Sequence, residues 1–305
     1  MKKSRVFAVL AAMCFVSFGC GKERSKPVQE NFVKIPAASI AGTEKWIPKS
    51  SVFVRGRKLE IAAFYMSDHE VTRGEYKAVM GIDPSEADAY NKDGKKLTGD
   101  ATKNNPVTDV SWYEALVYCN TRSIKENLSP CYKIDGETDP GKWGEVPKKC
   151  YDEKWNAATC DFTADGYRLP TEAEWEWAAR SGESYDYAGS DDISEVAWYS
   201  YNTGETGTRD VKTKKANGYG LYDMSGNVAE WCWDLCTHEN ISSYTPISGD
   251  TLISGDSQWN YRASRGGSYL EDSIKYLNIY YDRESGFPES QDSYTGFRLV
   301  RSSIK

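Results

Sequence analysis

Three copies of one helix-start signature constrain this chain more than any other feature. Thr72 is followed three positions later by Glu75, Ser111 by Glu114, and Thr171 by Glu174. In such a capping box the hydroxyl satisfies a backbone N–H of the first turn, and the glutamate reaches back to the cap's own N–H. Tyr76, Val79 and Met80 follow the first box at helical spacing, and Gly81 ends that helix. Leu116, Cys119 and Ile124 mark the buried side of the second, and Trp175, Ala178 and Ala179 that of the third, before Gly182. Around them lie short strand-like stretches, Phe53-Val54-Arg55 and Leu59-Glu60-Ile61-Ala62-Ala63-Phe64, joined by the turn Arg55-Gly56-Arg57. Residues 128–165, rich in Gly, Pro, Lys and Asp, read as an irregular excursion from the core. Helices scattered among turns and short strands predict an α+β fold. With no tandem repeat or low-complexity tract, residues 33–305 read as one domain.

The first residues carry an address. Lys2, Lys3 and Arg5 precede an apolar run from Val6 to Phe18, the layout of a secretion signal. That run is shorter than the roughly 20 residues a membrane span needs. Gly19-Cys20 closes it in a way that resembles a bacterial lipoprotein signal, although Ser17 stands where that motif usually has Leu. The resemblance implies a signal peptide over residues 1–19, lipid on Cys20, and an exported protein anchored to the cell envelope, at the outer-membrane surface. Residues 20–32 then suit a polar, flexible tether. A net charge of −7 argues against nucleic acid as a partner.

Export bears on the cysteines. Past Cys14 and Cys20 there are Cys119, Cys131, Cys150, Cys160, Cys232 and Cys236, an even set that suits disulfides without fixing their pairing. Cys131 with Cys160 would staple the ends of the irregular segment. No CxxC pair supports a zinc site. The only histidines, His69 and His238, leave little room for imidazole-based chemistry, and His69 reads as an exposed loop residue beside acidic neighbours.

Six motifs stand in a telling order: Glu70-Val71-Thr72, Val110-Ser111-Trp112, Tyr167 to Glu176 (YRLPTEAEWE), Gly220 to Trp231 (GLYDMSGNVAEW), Arg265-Gly266-Gly267-Ser268 and Gly296-Phe297-Arg298. Together they resemble the formylglycine-generating enzyme, or sulfatase-modifying factor, domain family over nearly the whole mature chain. The resemblance implies a variant of the C-type lectin fold with little regular secondary structure. Oxidases of that family use two copper-binding cysteines shortly after the Gly-Gly-Ser turn, because soft thiolates hold Cu(I). Here Glu271 and Tyr276 stand in those places, and no cysteine follows Cys236. The family's iron-dependent branch needs three histidines. Neither copper nor iron is expected, and no catalysis. A structural calcium is implied at Asn227, Val228 and Glu230, hard oxygen ligands of the right type, whereas the family's other calcium position falls on Thr206. Trp231, Trp233, Tyr219 and Tyr222 read as core, and Arg168 and Arg298 as loop anchors that grip carboxylates or carbonyls in bidentate fashion.

What remains is the stretch from Arg265 to Arg301, two glycine turns bracketing a middle of Tyr, Asp, Ser and Glu. That mixture suits a binding surface, since Tyr supplies contact area at low entropy cost and small polar residues supply hydrogen bonds. A non-enzymatic branch of the fold comprises the variable proteins of diversity-generating retroelements, including treponeme-type variable lipoproteins. In them, AAC codons near the C-terminus become NNC. Between Tyr269 and Tyr294 only Glu271, Lys275, Glu284, Glu289 and Gln291 lie outside the NNC set. Leu277 to Arg283 reads as a strand with Leu277, Ile279 and Tyr281 inward and Asn278, Tyr280 and Asp282 toward a ligand. Leu270, Asp272, Ile274, Tyr276, Phe287, Ser290, Asp292, Ser293 and Tyr294 complete the expected surface. The expectation is a monomeric protein that binds a protein or glycan ligand. An invariant envelope partner module, a glycan-binding lectin and an enzyme of other chemistry are the alternatives.

Overall fold

The computed structural model describes residues 31–41, 50, 52–53, 58–148, 152–204, 206–235, 261–281 and 285–303. All three capping boxes form. Helices Arg73–Met80, Trp112–Lys125 and Glu172–Arg180 start at Thr72, Ser111 and Thr171, with both reciprocal hydrogen bonds present in each. Gly81 ends the first helix at φ 82°, a left-handed conformation that glycine adopts without steric cost. Trp175, Ala178 and Ala179 are fully enclosed, as are Leu116 and Cys119. Ile124 is exposed instead, because five positions after Cys119 the helix has turned roughly 140°.

Two four-stranded sheets organise the rest. The first runs Phe32–Ile35, Phe64–Ser67, Val300–Ser302, Tyr167–Arg168, antiparallel throughout. It places the end of the domain between its beginning and its middle. The second runs Ser285–Gly286, Arg262–Arg265, Ala229–Leu235, Thr295–Gly296, its last pair parallel. The expected strand from Leu59 to Phe64 is broken into Leu59–Ile61 and Phe64–Ser67. Phe53 is buried, while Val54, Arg55 and the turn at Gly56 lie outside the described residues, as do Cys20 and the N-terminal address.

Residues 128–165 are no excursion. Tyr132, Trp143 and Trp155 enter the same apolar core as Trp112, Tyr118 and Phe297. The rings of Tyr132 and Trp233 stack at 5.0 Å. Aromatic burial of this size outweighs the loop-like composition that surrounds it. Nor does Cys131 staple to Cys160. Both are free thiols, like Cys119 and Cys232, and burial pushes the Cys131 thiol up to about 12. Cys160 pairs with Tyr132 across the short strands Tyr132–Lys133 and Thr159–Cys160. Strand alternation therefore turns Cys131 to the other face. Cys150, Cys236 and His238 lie outside the described residues.

Both expected arginine anchors close in bidentate fashion. Arg168 donates to both Glu174 oxygens at 2.7 Å. Arg298 donates twice to Glu230 at 2.6 Å, and also to the carbonyls of Ser67 and Tyr222. Since Arg298 and Glu230 are both fully enclosed, removing one partner strands a buried charge. Arg298→Met is expected to cost about 3–5 kcal/mol in a urea unfolding curve. Adding Glu230→Met should recover a large part of that loss, and an additive double mutant would contradict this account.

Candidate functional site

The site is built on the turn Arg265-Gly266-Gly267-Ser268 and the loop it docks against. The Gly266 carbonyl accepts from Gly226 N, and the Asn227 carbonyl from Tyr269 N. Gly267 has φ 68°, and a Cβ there would lie 2.8 Å from the Tyr276 carbonyl oxygen and 2.9 Å from Leu277. Only glycine lets the following segment fold back so closely. Arg265 fixes that segment from below: its guanidinium donates to Glu176 at 2.7 Å and to the Ile279 carbonyl at 2.9 Å. Glu176 also accepts from Arg180, so the third boxed helix carries the support.

These contacts overturn the expected strand from Leu277 to Arg283. Residues Ile274–Leu277 form a 3₁₀ turn, and Ile279 N donates to the Asp186 carbonyl. With backbone groups committed to the side chain of Arg265 and to a distant loop, no strand ladder is built. The facing pattern changes accordingly. Asn278 is nine-tenths buried and donates to the Tyr280 hydroxyl, and Tyr280 packs against the second apolar core. Asn278 is thus turned inward, and Tyr280 is half-buried, where alternation had put both outward. Leu277 and Ile279 are buried as alternation suggested, but Tyr281, expected inward, lines a cavity. Asp282 lies outside the described residues.

The cavity, of about 370 Å³, is the centre of the site. Ala229, Trp231 and Ser264 of the second sheet meet Glu271, Tyr276 and Tyr281 of the folded-back segment. Asp292, Tyr294 and Thr295 close it beside Gly286. Glu271 and Tyr276, the residues standing where the resemblance puts the oxidase cysteines, thus both line a real hollow. The Tyr276 and Tyr281 rings meet edge to face at 4.9 Å. Trp231, read from sequence as core, is enclosed and also lines the cavity, with Gly286 so close that a Cβ there would lie 2.6 Å from its ring.

Around the opening the apolar surface is unusual. Leu270, Ile274, Phe287 and Tyr294 are 37%, 49%, 40% and 40% exposed, and each either lines the cavity or lies within two residues of one that does. Clustering of large apolar side chains at a surface marks an interaction site far better than single exposures do. Asp272 is exposed, and Ser290 and Ser293 are half-buried in the same segment. Tyr201 joins them unforeseen. It is exposed on a short helix, Ser200–Thr203, whose Ser200 N donates to the Glu271 carbonyl. Its signal was the aromatic run Trp198-Tyr199-Ser200-Tyr201, which lacks the glycine brackets that exposed the C-terminal stretch.

Asn227, Val228 and Glu230, the residues implied for calcium, make hydrogen bonds within the protein. The Asn227 side-chain oxygen accepts from Arg209 N at 2.9 Å, and its amide donates to Glu70 at 2.7 Å. Val228 N donates to the other Glu70 oxygen. Both Glu230 oxygens are occupied by Arg298, and Trp175 Nε1 adds a third bond at 2.7 Å. These oxygens hold the Gly-Asn turn and the second sheet in place. Among the described residues no group of three or more His, Cys, Asp or Glu side chains is arranged to hold a metal ion.

Behind the turn the electrostatics are costly. Burial, then the charges of Asp223 and Glu230, push the Glu70 carboxyl well above its usual range. Burial raises Asp223 to about 6, against a hydrogen bond from Lys212 N and the charge of Arg298. His69 is not the exposed residue the sequence suggested. It is buried between Asp68 and Glu75. Burial opposes its charge, but hydrogen bonds to those two carboxylates outweigh that and lift its pKa to about 9.

Comparison with known proteins agrees with the geometry. A model of the sulfatase-modifying factor enzyme 1-like domain matches residues 21–303. The chain is 35% identical over 325 residues to Chaperone protein LppX of Paenibacillus barcinonensis, covering 99% of this chain and all of that one. It is 37% identical over 169 residues to the formylglycine-generating enzyme of Thermomonospora curvata, spanning about half of each (49% and 54%). Among solved structures, Treponema denticola variable protein 1 superposes with a TM-score of 0.73 at 32% identity, over 89% of this chain and 95% of that one. A crystal structure of CarF gives 0.64 at 25%, over 90% and 98%.

The buried titrating groups predict one pH response. His69 stabilises the fold fully below pH 6.5, and that contribution is lost as pH rises through about 9. Asp223 ionises at 3.8 when unfolded and at about 6 when folded, so its penalty starts above the first value and is complete above the second. Melting temperature should fall between pH 5 and pH 9 (roughly the span of these shifts). Asp223→Asn should raise it more at pH 8 than at pH 4; equal effects at both would contradict the assignment.

Proposed function

Because the chain belongs to the sulfatase-modifying factor enzyme 1-like domain family, whose fold here is of the C-type lectin type, we propose that it is an exported, lipid-anchored binding protein. Its ligand, a protein or a glycan, docks on the C-terminal surface around the cavity. The observation that carries this reading is the substitution at the cavity itself. Glu271 and Tyr276 replace the soft sulfur pair, and the exposed Leu270, Ile274, Phe287 and Tyr294 line the cavity or lie within two residues of its lining. A carboxylate and a phenol cannot hold Cu(I) as thiolates do, so the hollow serves recognition and not oxidation. Similarity to a treponeme variable protein supports the further reading that chosen tail codons are diversified while the scaffold stays fixed. Anchoring through Cys20 fits the signal-like N-terminus. Among the described residues no helix is long and apolar enough to cross a membrane.

A second reading draws on the relative named a chaperone, which matches over its whole length. In that case the apolar rim would hold an exported client protein during folding, and no diversification is needed. DNA beside the gene separates the two. A near-copy of the tail's coding sequence differing only at adenines, next to a reverse transcriptase, is expected for the variable protein, and its absence removes that reading.

Binding itself is tested by probing glycan arrays and exported proteins with the mature protein and with the Leu270→Asp, Phe287→Asp double variant. The variant should melt within about 1 kcal/mol of the parent, as exposed sites do, and lose the captured ligand. Retention of every ligand by the variant would sink the proposal. Incubation with copper and a sulfatase peptide containing cysteine should leave the peptide mass unchanged; conversion would make the protein an oxidase after all.

A further inference from the structure

We propose that the cavity takes a single organic cation, the protonated amine or guanidinium of a lysine-like or arginine-like group, with Asp292 as counter-ion and the rings of Tyr276, Tyr281 and Tyr294 as walls. This rests on the reading of the cavity as the binding centre. Asp292 is half-buried and faces the hollow. Its backbone is tied down, since its carbonyl accepts from Asp109 N and Thr295 N. Among the described residues its carboxylate accepts no hydrogen bond and meets no basic side chain. A carboxylate drawn half out of water with no protein partner has given up part of its solvation and gains most from an incoming cation. Burial, and then the charge of Asp109, raise the pKa of Asp292, the response of an acid held where it lacks a counter-ion.

The rest of the lining fits the same occupant. Glu271 adds a second carboxylate, and no lysine, arginine or histidine is among the described lining residues. Among the described lining residues an anionic ligand would meet carboxylates and no cationic side chain. The tyrosine rings supply electron-rich faces, which attract an ammonium or guanidinium by about 0.5–2 kcal/mol. A volume of about 370 Å³ holds a charged head together with its alkyl stem, which the apolar parts of the walls would cover. An exposed rim beyond the opening then meets whatever carries the cation.

Isothermal titration of the mature protein with n-butylammonium and n-butylguanidinium, and with n-butanol and n-butyrate as controls, tests this. The two cations should bind at least about tenfold more tightly than either control. Asp292→Asn should weaken them about tenfold, equivalent to about 1.4 kcal/mol, without lowering the melting temperature, because no protein partner is lost and an unpaired charge is removed. Tyr294→Ala should weaken both cations while leaving the pH dependence of binding in place. Equal binding of butanol and the cations, or full cation affinity in Asp292→Asn, overturns the assignment. A short peptide with a central arginine separates two sources of the cation. Tighter binding of the peptide than of butylguanidinium assigns the group to a partner protein, and equal binding assigns it to a free small molecule. Should the probes fail while a ligand sensitive to Leu270→Asp and Phe287→Asp is still captured, the cation falls and the binding surface stands.

Discussion

Glu230 and Arg298 share a double hydrogen bond at 2.6 Å in the interior, and most of the fold is arranged around keeping them together. Through its remaining donors Arg298 reaches the carbonyls of Ser67 in the first sheet and Tyr222 in the loop before the Gly-Asn turn. Glu230 takes the indole of Trp175 from the third boxed helix. One pair thus joins two sheets, a helix and a loop that would otherwise share little regular hydrogen bonding. In a chain with such short strands, a buried charge pair supplies orientation that a long ladder would give elsewhere. Burial works against both charges, so the pair tolerates only one arrangement of its neighbours.

The binding surface inherits its position from that arrangement. Arg265 stands beside Glu230 in the second sheet and holds the Ile279 carbonyl, while Gly267 leaves room for Tyr276 and Leu277 to press against the turn. Glu70 holds Asn227 and Val228, and Asn227 in turn anchors Tyr269. A rigid floor and a folded-back roof leave the cavity between them. Leu270, Ile274, Phe287 and Tyr294 remain partly exposed beside it, and Phe287 packs its ring against Tyr261 at 4.6 Å.

Much of the scaffold was legible because its signals are local. A capping box involves four consecutive residues, so Thr72, Ser111 and Thr171 could be identified without tertiary information. The ordered motifs likewise named the fold, and the glycine turns marked where the surface begins and ends. The failures share a cause. Alternation in Leu277 to Arg283 suggested a strand, but the competing partners, Arg265 and the carbonyl of Asp186, come from distant parts of the chain. The acidic neighbours of His69 were visible, but that Asp68 and Glu75 hold a buried ring between them depends on how the helix start folds over it. Residues 128–165 looked peripheral because three aromatic anchors, Tyr132, Trp143 and Trp155, are diluted among loop-forming residues.

By itself the sequence determined the helix starts, the family, the two ends of the surface stretch and the loss of the sulfur pair at Glu271 and Tyr276. Each of these is written in neighbouring residues or in a fixed order of motifs. Only the tertiary structure decided which tail residues line the cavity, placing Tyr281 and Asp292 there while burying Asn278. It also assigned Asn227 and Glu230 to internal hydrogen bonds. Facing and pairing depend on which distant group reaches a given atom first, and no local pattern encodes that competition.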